Sequence, residues 1–423
     1  MNRKKKLLIG CLAFVVLLVY MFSHDPSRHI KLKLGMFVGS NFDVYNGDSY
    51  AIIDETIELF EKEHPNVSIE YESGIVKSDY SSWLSKKILK GEQLDVFMVL
   101  NEDFNTLASI NALQNLNKYV KDYSLFYDGI LDSGRYNENL YALAYEVSPM
   151  MMCINKDLLA KEGITIPDDK WTMKDFYDIC QRVTKDTNND GRIDQFGSCN
   201  YEWQDAINGY GIELFDNHGK TCRLSSAKDA LSFVQKLKLL NDGYNVTSND
   251  FDEGKVAFCP LTIAQYRTYQ PYPYRVSKYS TFSWYCLPMP GNDNNKKTAT
   301  CQTSLMAINS RSDYKDLAYD FIEILTSQKV QQDLIEKSQG VSVLKSVMND
   351  KKTKQILQDN NENDLNMDIL NNILENIIVE PKFKDYYRIL EKADYLISHS
   401  IDKNQIELDV FTIQEQLINE LKQ

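Results

Sequence analysis

The sequence holds few of the residues, and none of the motifs, on which most enzymes depend. Only five histidines and four tryptophans occur among 423 residues. The histidines are scattered without partners at His24, His29, His64, His218 and His399. No G-x-S-x-G, H-E-x-x-H, Walker or G-x-G-x-x-G pattern occurs. These absences argue against the common hydrolase, zinc protease and nucleotide-binding classes, and they favour a protein that binds a ligand without changing it.

Positive charge is also scarce. Forty-seven Lys and Arg stand against 60 Asp and Glu, which gives a formal net charge of −13. Such a surface repels the phosphate backbone of DNA and RNA, so no nucleic-acid partner is expected. Aromatic residues are plentiful instead, with 26 Tyr and 18 Phe. An aromatic-rich soluble protein has the means to line a sugar or peptide cleft.

Cysteines are present, but not in a metal-binding arrangement. They are Cys11, Cys153, Cys180, Cys199, Cys222, Cys259, Cys286 and Cys301. No two are spaced C-x-x-C and none lies at ligand spacing from a histidine, so no zinc site is predicted. The thiols are expected to be small buried side chains. One disulfide, for instance Cys199 with Cys222, stays open for an exported protein.

The N-terminus predicts a membrane anchor. Basic residues 3–6 precede an unbroken apolar run over residues 7–22, and no small-x-small cleavage site follows it. We therefore expect residues 1–28 to be an uncleaved signal-anchor at the cell membrane, with the basic end inside and the remainder outside. Cys11 follows a lipoprotein-like triplet, but it lies near the start of the apolar run rather than after it, which argues against lipidation.

From residue 31 onward, strand and helix patterns alternate at short spacing. Residues 31–38, 67–72 and 94–100 have strand patterns, and residues 49–64, 80–90 and 104–113 have helical ones. A second block opens near residue 141, and Thr172 is the expected N-cap of a helix there. This alternation predicts an α/β protein with a mostly parallel sheet. The length exceeds what one core comfortably organises, which favours two lobes.

Four segments carry a resemblance to a known family. They are FEKEHPNV at 60–67, LDVF at 94–97 with NEDF at 101–104, YEV at 145–147 with INKDL at 154–158, and DFIEILTS at 320–327. In their order and spacing the sequence resembles the family 1 extracellular solute-binding proteins of ABC transporters, the group that includes maltose-binding protein. The resemblance extends from residue 31 to about residue 349.

The resemblance implies a periplasmic-binding-protein-like type II fold, in which two α/β lobes enclose a ligand cleft beside a hinge. Lobe 1 is expected to comprise residues 31–145 and 302–345, and lobe 2 residues 146–301 and 346–423. The chain is expected to cross the hinge near residues 144–147, 299–304 and 342–348. The implied function is to capture a carbohydrate by lobe closure and to deliver it to the transmembrane permease subunits of an importer, without catalysis.

Candidate ligand-binding residues combine carboxylates and amides with aromatic rings, because sugars offer both hydroxyls and apolar ring faces. The candidates are Asn41, Phe42, Asp43, Glu102, Asp103, Tyr145, Glu146, Tyr201, Trp203, Gln265, Tyr266 and Trp284. By position in the family pattern, Asn41, Glu102, Glu146 and Trp203 are expected against the ligand. Trp203 is expected to face the solvated cleft, so its truncation should leave the stability of the free protein largely unchanged.

A calcium-like loop spans residues 186–194, after the helix that Thr172 is expected to cap. Its candidate ligands are Asp186, Asn188, Asp190, the Arg192 carbonyl and Asp194. Oxygen-bearing side chains at alternate positions, with a glycine at position 6, can surround a hard cation. The bidentate Glu expected at position 12 is missing, because Gly197 stands there. The alternatives are a structural calcium ion and an Asx-rich turn that needs no metal.

Two other functions stay open at this level. A secreted glycoside hydrolase or lyase needs a carboxylate pair across the scissile bond, and 60 acidic residues make such a pair easy to imagine. A surface sugar sensor or adhesin would use the same fold without a permease.

Overall fold

The computed structural model describes residues 29–422 except 45–49, 93, 270–281, 293–294, 296 and 359–362. The predicted signal-anchor, and Cys11 within it, lie outside the described residues. In the part of the chain that is described, no helix combines the length and the apolar character needed to cross a bilayer.

Strands and helices alternate along the described chain as the sequence pattern predicts. The strands are β1 (Ile30–Gly35), β2 (Val67–Tyr71), β3 (Val96–Val99), β4 (Arg135–Tyr136), β5 (Asn139–Leu140), β6 (Ala142–Asn155), β7 (Phe196–Ser198), β8 (Val256–Thr262), β9 (Trp284–Leu287), β10 (Cys301–Ile308) and β11 (Asn363–Asp364). Short 3₁₀ helices span Tyr123–Leu125 and Leu224–Ala227.

The α-helices cover both lobes and the C-terminal region. They are α1 (Ala51–Glu63), α2 (Lys77–Lys90), α3 (Asn101–Ser109), α4 (Asp128–Ser133), α5 (Lys156–Lys161), α6 (Met173–Val183), α7 (Trp203–Gly209), α8 (Lys228–Leu240), α9 (Ser248–Asp252), α10 (Ile263–Arg267), α11 (Lys315–Leu325), α12 (Gln328–Lys337), α13 (Lys345–Met348), α14 (Lys351–Gln358), α15 (Met367–Glu375), α16 (Tyr386–Asp402) and α17 (Ile406–Leu421).

Lobe 1 is built on one half of the main sheet, in the order β2-β1-β3-β10-β6. β1 pairs parallel with β2 and β3, whereas β10 pairs antiparallel with β3 and with the first part of β6. Helices connect the parallel strands, which is the arrangement of the predicted α/β class. β3 is buried along its whole length, as expected for a strand with both faces covered.

Lobe 2 is built on the other half of the sheet, and β6 belongs to both lobes. Residues 142–149 of β6 pair with β10, and residues 150–155 pair antiparallel with β8 and β9. β7 lies parallel to β8, and β11 lies parallel to β9. The sheet is therefore mixed rather than mostly parallel, because the strands that link the lobes run antiparallel to their neighbours.

The C-terminal residues divide between the lobes. α15 packs on α4, where the Tyr127 hydroxyl donates to Asn371 Oδ1 at 2.9 Å, whereas α16 and α17 pack on α8. After α15 the chain leaves lobe 1 near Ile378, which bridges Thr300, although β11, which precedes α15, already pairs with β9 of lobe 2. The third crossing was expected at residues 342–348, and residues 346–423 were expected in lobe 2. A helical pattern shows which face is apolar but not which lobe covers it.

α6 shows how local sequence sets an element. The Thr172 side chain accepts from the Asp175 backbone N–H at 3.2 Å, and the Asp175 carboxylate accepts from the Thr172 N–H at 2.8 Å. This capping box satisfies two backbone donors that the first turn leaves free, and it confirms the predicted N-cap. The buried face that follows, including Phe176 and Val183, packs α6 against β7 and α8.

Candidate ligand-binding cleft

β6 carries a bulge where it leaves lobe 1. Ser304 of β10 pairs with Glu146, but Leu305 pairs with Ala144, so Tyr145 is an extra residue in β6. A bulge bends its strand and redirects the following side chain. Gln331, fully buried on α12, donates to the Tyr145 carbonyl at 2.8 Å and so holds the bulge in place.

Glu146 follows the bulge and ties β6 to the loop after α12. Its side chain is 7% exposed, and its Oε1 accepts from the Ser338 hydroxyl and from the Gly340 N–H, the latter at 2.8 Å. A Cβ on Gly340 would lie 2.6 Å from the Glu146 side chain, so only glycine allows this approach. Glu146 therefore has a structural role at the hinge as well as its predicted position beside the cleft.

The loop after β1 is fastened to both the hinge and α2. Asn41 donates through Nδ2 to the Thr303 carbonyl at 3.0 Å. Lys77 Nζ donates to the Asn41 carbonyl at 2.7 Å and to both Asp43 oxygens at 2.9 Å. Asp43 is exposed, whereas the Phe42 ring is buried. Asn41 is thus tied to the hinge strand β10, Asp43 stands at the surface, and the Phe42 ring packs in the interior.

A hollow that we call the β1 hollow connects this loop with the hinge. It is lined by Phe37, Gly39, Ser40, Asn41, Ile52, Ile53, Met98, Tyr145, Glu146, Lys337 and Ser338. Three of the predicted ligand-binding residues, Asn41, Tyr145 and Glu146, meet here although they come from two separate stretches of sequence. The Tyr145 ring itself is buried, with its hydroxyl 3.9 Å from Met98 Sδ.

Glu102 and Asp103 stand in the first turn of α3. Glu102 is exposed. Asp103 accepts from the Ser81 hydroxyl at 2.5 Å, and burial raises its pKa despite this hydrogen bond. Of the two, only Glu102 has an exposed side chain, because Asp103 joins α3 to α2, and a contact of Glu102 with the ligand stays a prediction.

A second hollow, the α3 hollow, lies where α3 and α4 of lobe 1 face the third crossing. It is lined by Asn101, Phe104, Gly129, Ser133, Cys301, Thr303, Leu305, Ile377, Ile378, Val379, Glu380 and Lys382. Lys382 Nζ donates to the Ser133 carbonyl at 2.9 Å and lies 5.1 Å from the centre of the Phe104 ring. Burial lowers the pKa of Lys382 to about 8, although the Glu380 and Asp132 carboxylates oppose the shift.

Glu380 and Tyr387 complete this side of the cleft, and the sequence analysis missed both. The Tyr387 hydroxyl donates to Glu380. Burial, then the Glu380 carboxylate, the neighbouring Tyr386 and, last, the Glu102 carboxylate raise the pKa of Tyr387. An aromatic pair at a helix start after Pro381 was a usable signal. Its link to the cleft depends on the long-range packing of α16, which a local pattern does not show.

The aromatic candidates of lobe 2 lie in its core. Tyr201, Trp203, Tyr266 and Trp284 are all buried. The Tyr201 hydroxyl lies 3.3 Å from Met173 Sδ, and the Trp284 ring stacks on Phe282 with centroids 5.5 Å apart. Gln265 is exposed, but its side chain accepts from the Thr262 N–H at 2.9 Å to cap α10. None of these five side chains lines either hollow.

The Trp203 side chain is buried and does not face the solvated cleft, contrary to the sequence-based expectation. Its side chain is 1% exposed, and its Nε1–H donates to Asp394 of α16 at 2.8 Å. The residue therefore fastens α7 to the C-terminal helix, and its ring has no face toward the cleft in this conformation. Trp203 begins α7, and the side of that helix on which its ring lies depends on α16, which is distant in the chain.

The calcium-like loop closes on itself. Asp186 Oδ1 accepts from the Asn189 N–H at 2.7 Å, and its Oδ2 accepts from the Gly191 N–H at 2.7 Å. Asp194 accepts from the Thr187 N–H at 2.8 Å. Within the described residues, no group of three or more His, Cys, Asp or Glu side chains is placed to hold a metal ion. This geometry is that of an Asx-rich turn, and its oxygens remain on the surface.

Comparison with known proteins gives the family. Residues 45–332, more than half of the chain, match the family of bacterial extracellular solute-binding proteins. The chain belongs to this family. The solute-binding domain accordingly faces the extracellular side, as the sequence resemblance predicted.

Solved structures share the fold of this solute-binding protein. The sugar-binding protein MalE from Xanthomonas citri aligns with a TM-score of 0.74 at 16% identity, over 93% of this chain and 97% of that chain. The cyclic α-maltosyl-1,6-maltose binding protein from Arthrobacter globiformis gives 0.74 at 13%, over 93% and 98%. A Listeria monocytogenes ABC substrate-binding protein in complex with cycloalternan gives 0.70 at 18%, over 93% and 99%. These alignments confirm the predicted type II fold.

Proposed function

We propose that this solute-binding protein captures a carbohydrate between its lobes and delivers it to the permease of an ABC importer. The observation that carries the proposal is the arrangement around the α3 hollow. Asn101 and Phe104 of α3, which flank Glu102 in sequence, line this hollow together with Glu380, and Glu380 accepts from the Tyr387 hydroxyl. Carboxylates accept hydrogen bonds from sugar hydroxyls, and a tyrosine offers both a ring face and a hydroxyl. The sugar complexes named for its structural relatives support the same ligand class.

The ligand proposal is tested with a panel of sugars, amino acids and peptides. A ligand at about 100 times its Kd should stabilise the protein by about 2.7 kcal/mol, which a thermal shift detects. Calorimetry then compares Glu102→Ala and Tyr387→Phe with Glu58→Ala, a control at an exposed position of α1. We expect each cleft variant to lose about 1 to 3 kcal/mol of affinity, because hydroxyls of the ligand lose buried partners. Normal sugar binding by both would contradict this site.

Binding without catalysis and delivery to a permease are separate parts of the proposal. After prolonged incubation with the protein, the bound sugar should be recovered chemically unchanged. Cleavage products would instead identify a secreted glycoside-acting enzyme. Deletion of the gene should abolish uptake of the sugar by cells, and expression of the gene should restore it. A protein that binds the sugar but does not affect uptake would be a surface sensor or adhesin.

We also propose that residues 1–28 remain in the mature protein and anchor it in the cell membrane. The support is the apolar run at 7–22, which is preceded by basic residues and followed by no cleavage signal. The protein should fractionate with membranes and begin at or near Met1. N-terminal sequencing that finds a start near residues 23–30, or a diacylglycerol on Cys11, would contradict the anchor.

For the loop of Asp186, we propose a calcium ion with a structural role. Carboxylate oxygens of Asp186 and Asp190 lie on one exposed loop, and Gly191 takes the left-handed turn, with φ +87°, that position 6 of such a loop needs. Asn188, Asp194 and the Arg192 carbonyl would complete the oxygen set. The competing description is the self-closed turn, and calcium titration separates the two.

A further inference from the structure

Four buried cysteines lie together on the sheet of lobe 2. Cys153 of β6 is in register with Cys259 of β8 on one side and with Cys286 of β9 on the other. Cys199 follows β7, and its thiol lies beside that of Cys259. All four are buried. The sequence analysis had left open a pairing of Cys199 with Cys222, but the contacts in the structure join different cysteines.

Cys153 and Cys286 have the geometry of a disulfide pair. Their sulfurs are 3.5 Å apart, and the two residues stand directly opposite on antiparallel strands. Opposed residues in such strands have Cα atoms about 4.5 to 5.5 Å apart, which lies inside the range of about 4.4 to 6.8 Å that a disulfide spans. A small rotation of each side chain is therefore enough to bring the sulfurs to bonding distance.

Cys259 is also in register with Cys153, but its thiol is engaged elsewhere. Its Sγ lies 3.7 Å from the Pro260 carbonyl and 3.9 Å from Asn200 Nδ2, on the side of Cys199. The cluster is thus divided into two neighbouring pairs. Among the described residues, no group of three or more His, Cys, Asp or Glu side chains is arranged to hold a metal ion.

We propose that Cys153 and Cys286 form a cross-strand disulfide in the exported protein. Each thiol gives up its proton, and the two sulfurs form one S–S bond. The two electrons reduce an external disulfide, such as that of a thiol–disulfide oxidoreductase, to two thiols. The extracellular location of the family supplies a setting in which such a bond persists.

The buried position of the pair determines when the bond forms. Burial raises the pKa of Cys153, and the thiolate is the form that attacks a disulfide. Oxidation should therefore occur while lobe 2 is still folding, and it should be very slow once the sheet is covered. The bond would then fasten β9 to β6, the strand that continues through the hinge into lobe 1, and it would be shielded from reduction.

The test uses the full-length protein, unfolded and refolded with oxidised and reduced glutathione. Free thiols are alkylated under denaturing conditions, and the digest is analysed by mass spectrometry without reduction. We expect a linked peptide pair containing Cys153 and Cys286, and a lower Tm after refolding with a reducing phosphine. Folded, reduced protein should form the bond at least tenfold more slowly than refolding protein does.

Variants give a matched comparison. Cys153→Ser and Cys286→Ser should each lose the linked peptide and the redox dependence of Tm, whereas Cys180→Ser, a buried cysteine outside the cluster, should keep both. The measurement on the unmutated protein needs no variant, so it decides the matter even if a serine variant fails to fold. Recovery of Cys153 and Cys286 as fully alkylated thiols, or a Cys199–Cys259 link without the Cys153–Cys286 link, would overturn the proposal.

Discussion

At the scale of single residues, burial decides what a side chain can do. Glu146 and Trp203 were both expected against the ligand. The Glu146 carboxylate is held by the loop after α12, and the Trp203 indole is held by α16. Each side chain therefore stabilises the fold through contacts with residues far along the chain. Substitution of either residue should change the unfolding free energy of the ligand-free protein.

Truncation of Trp203 should destabilise the protein strongly. Trp203→Ala leaves a large cavity between α7 and α16 and should cost about 3 to 5 kcal/mol in the free energy of unfolding. Trp203→Phe keeps most of the packing and loses only the hydrogen bond to Asp394, at a cost of about 1 kcal/mol. Denaturant unfolding measures both. Unchanged stability of Trp203→Ala would restore the cleft role first expected for this ring.

Glu146 should tolerate an isosteric amide but not truncation. Glu146→Gln keeps an Oε1 that can accept from Ser338 and Gly340, so its unfolding free energy should fall by less than about 1 kcal/mol. Glu146→Ala removes the acceptor of a buried backbone N–H and should cost about 1 to 3 kcal/mol. Equal stability of the two variants, compared by thermal and denaturant unfolding, would show that these hydrogen bonds do not hold the hinge loop.

At the scale of elements, the segment around residues 381–383 is attached to both lobes. Phe383 packs in lobe 2 against Phe215, with ring centroids 6.2 Å apart, while its neighbour Lys382 bonds to Ser133 of lobe 1. Nearby, Asn105 of α3 donates to the Pro381 carbonyl at 3.2 Å. Residues on one short segment are thus attached to different lobes.

Lys382 should make the free energy of unfolding depend on pH in the alkaline range. Its pKa is about 8 in the folded protein and about 10.4 in an unfolded chain. Below pH 8 both states carry the proton, so the cost of burying the charge is fully present. Between pH 8 and about 10.4 the folded state loses its proton first, and above that range both states are neutral, so the cost disappears as the pH rises.

The expected difference is measured against Lys382→Met. From pH 7 to pH 10.5 the unfolding free energy of the unmutated protein should rise relative to that of the variant by about 2 to 3 kcal/mol. Taking the difference removes the contributions of all other titrating groups. A difference that does not change with pH would mean that the Lys382 ammonium is hydrated in the folded state.

The loop of Asp186 is an element whose stability should respond to calcium. Under the calcium proposal, added calcium raises Tm relative to EDTA, and Asp186→Ala with Asp190→Ala abolishes the rise because the site loses two charged oxygens. Asp169→Ala, an exposed carboxylate outside the loop, is the control and should keep the response. Identical melting of the unmutated protein in calcium and in EDTA would leave the self-closed turn as the description.

At the scale of the whole molecule, β6 is shared by the two lobes, and the proposed function requires them to close on the ligand. The ligand contacts proposed around the α3 hollow come from lobe 1 and from the segment that enters lobe 2. A ligand that binds both shifts the population toward the closed form. Small-angle X-ray scattering should show a smaller radius of gyration when the identified sugar is saturating, and Glu102→Ala should need more sugar for the same change. An unchanged radius at saturation would contradict closure.

Local patterns were enough for much of the fold. The Thr172 cap, the buried run of β3 and the alternation of strands with helices depend on residues close together in sequence, and the structure contains all of them. The family followed from four short segments for the same reason. Asn41, Glu102 and Glu146 stay predicted ligand contacts, chosen from the residue types and from their positions in the family pattern.

What the sequence alone determined was therefore the order of elements and the family, since these depend on short-range order along the chain. Tertiary structure alone decided that Trp203 contacts Asp394, 191 residues away, that Lys382 reaches Ser133 across 249 residues, and that Cys153 meets Cys286 across 133. Each of these contacts depends on how the β-strands and helices of both lobes pack, and a long-range contact leaves no periodicity or spacing in the sequence.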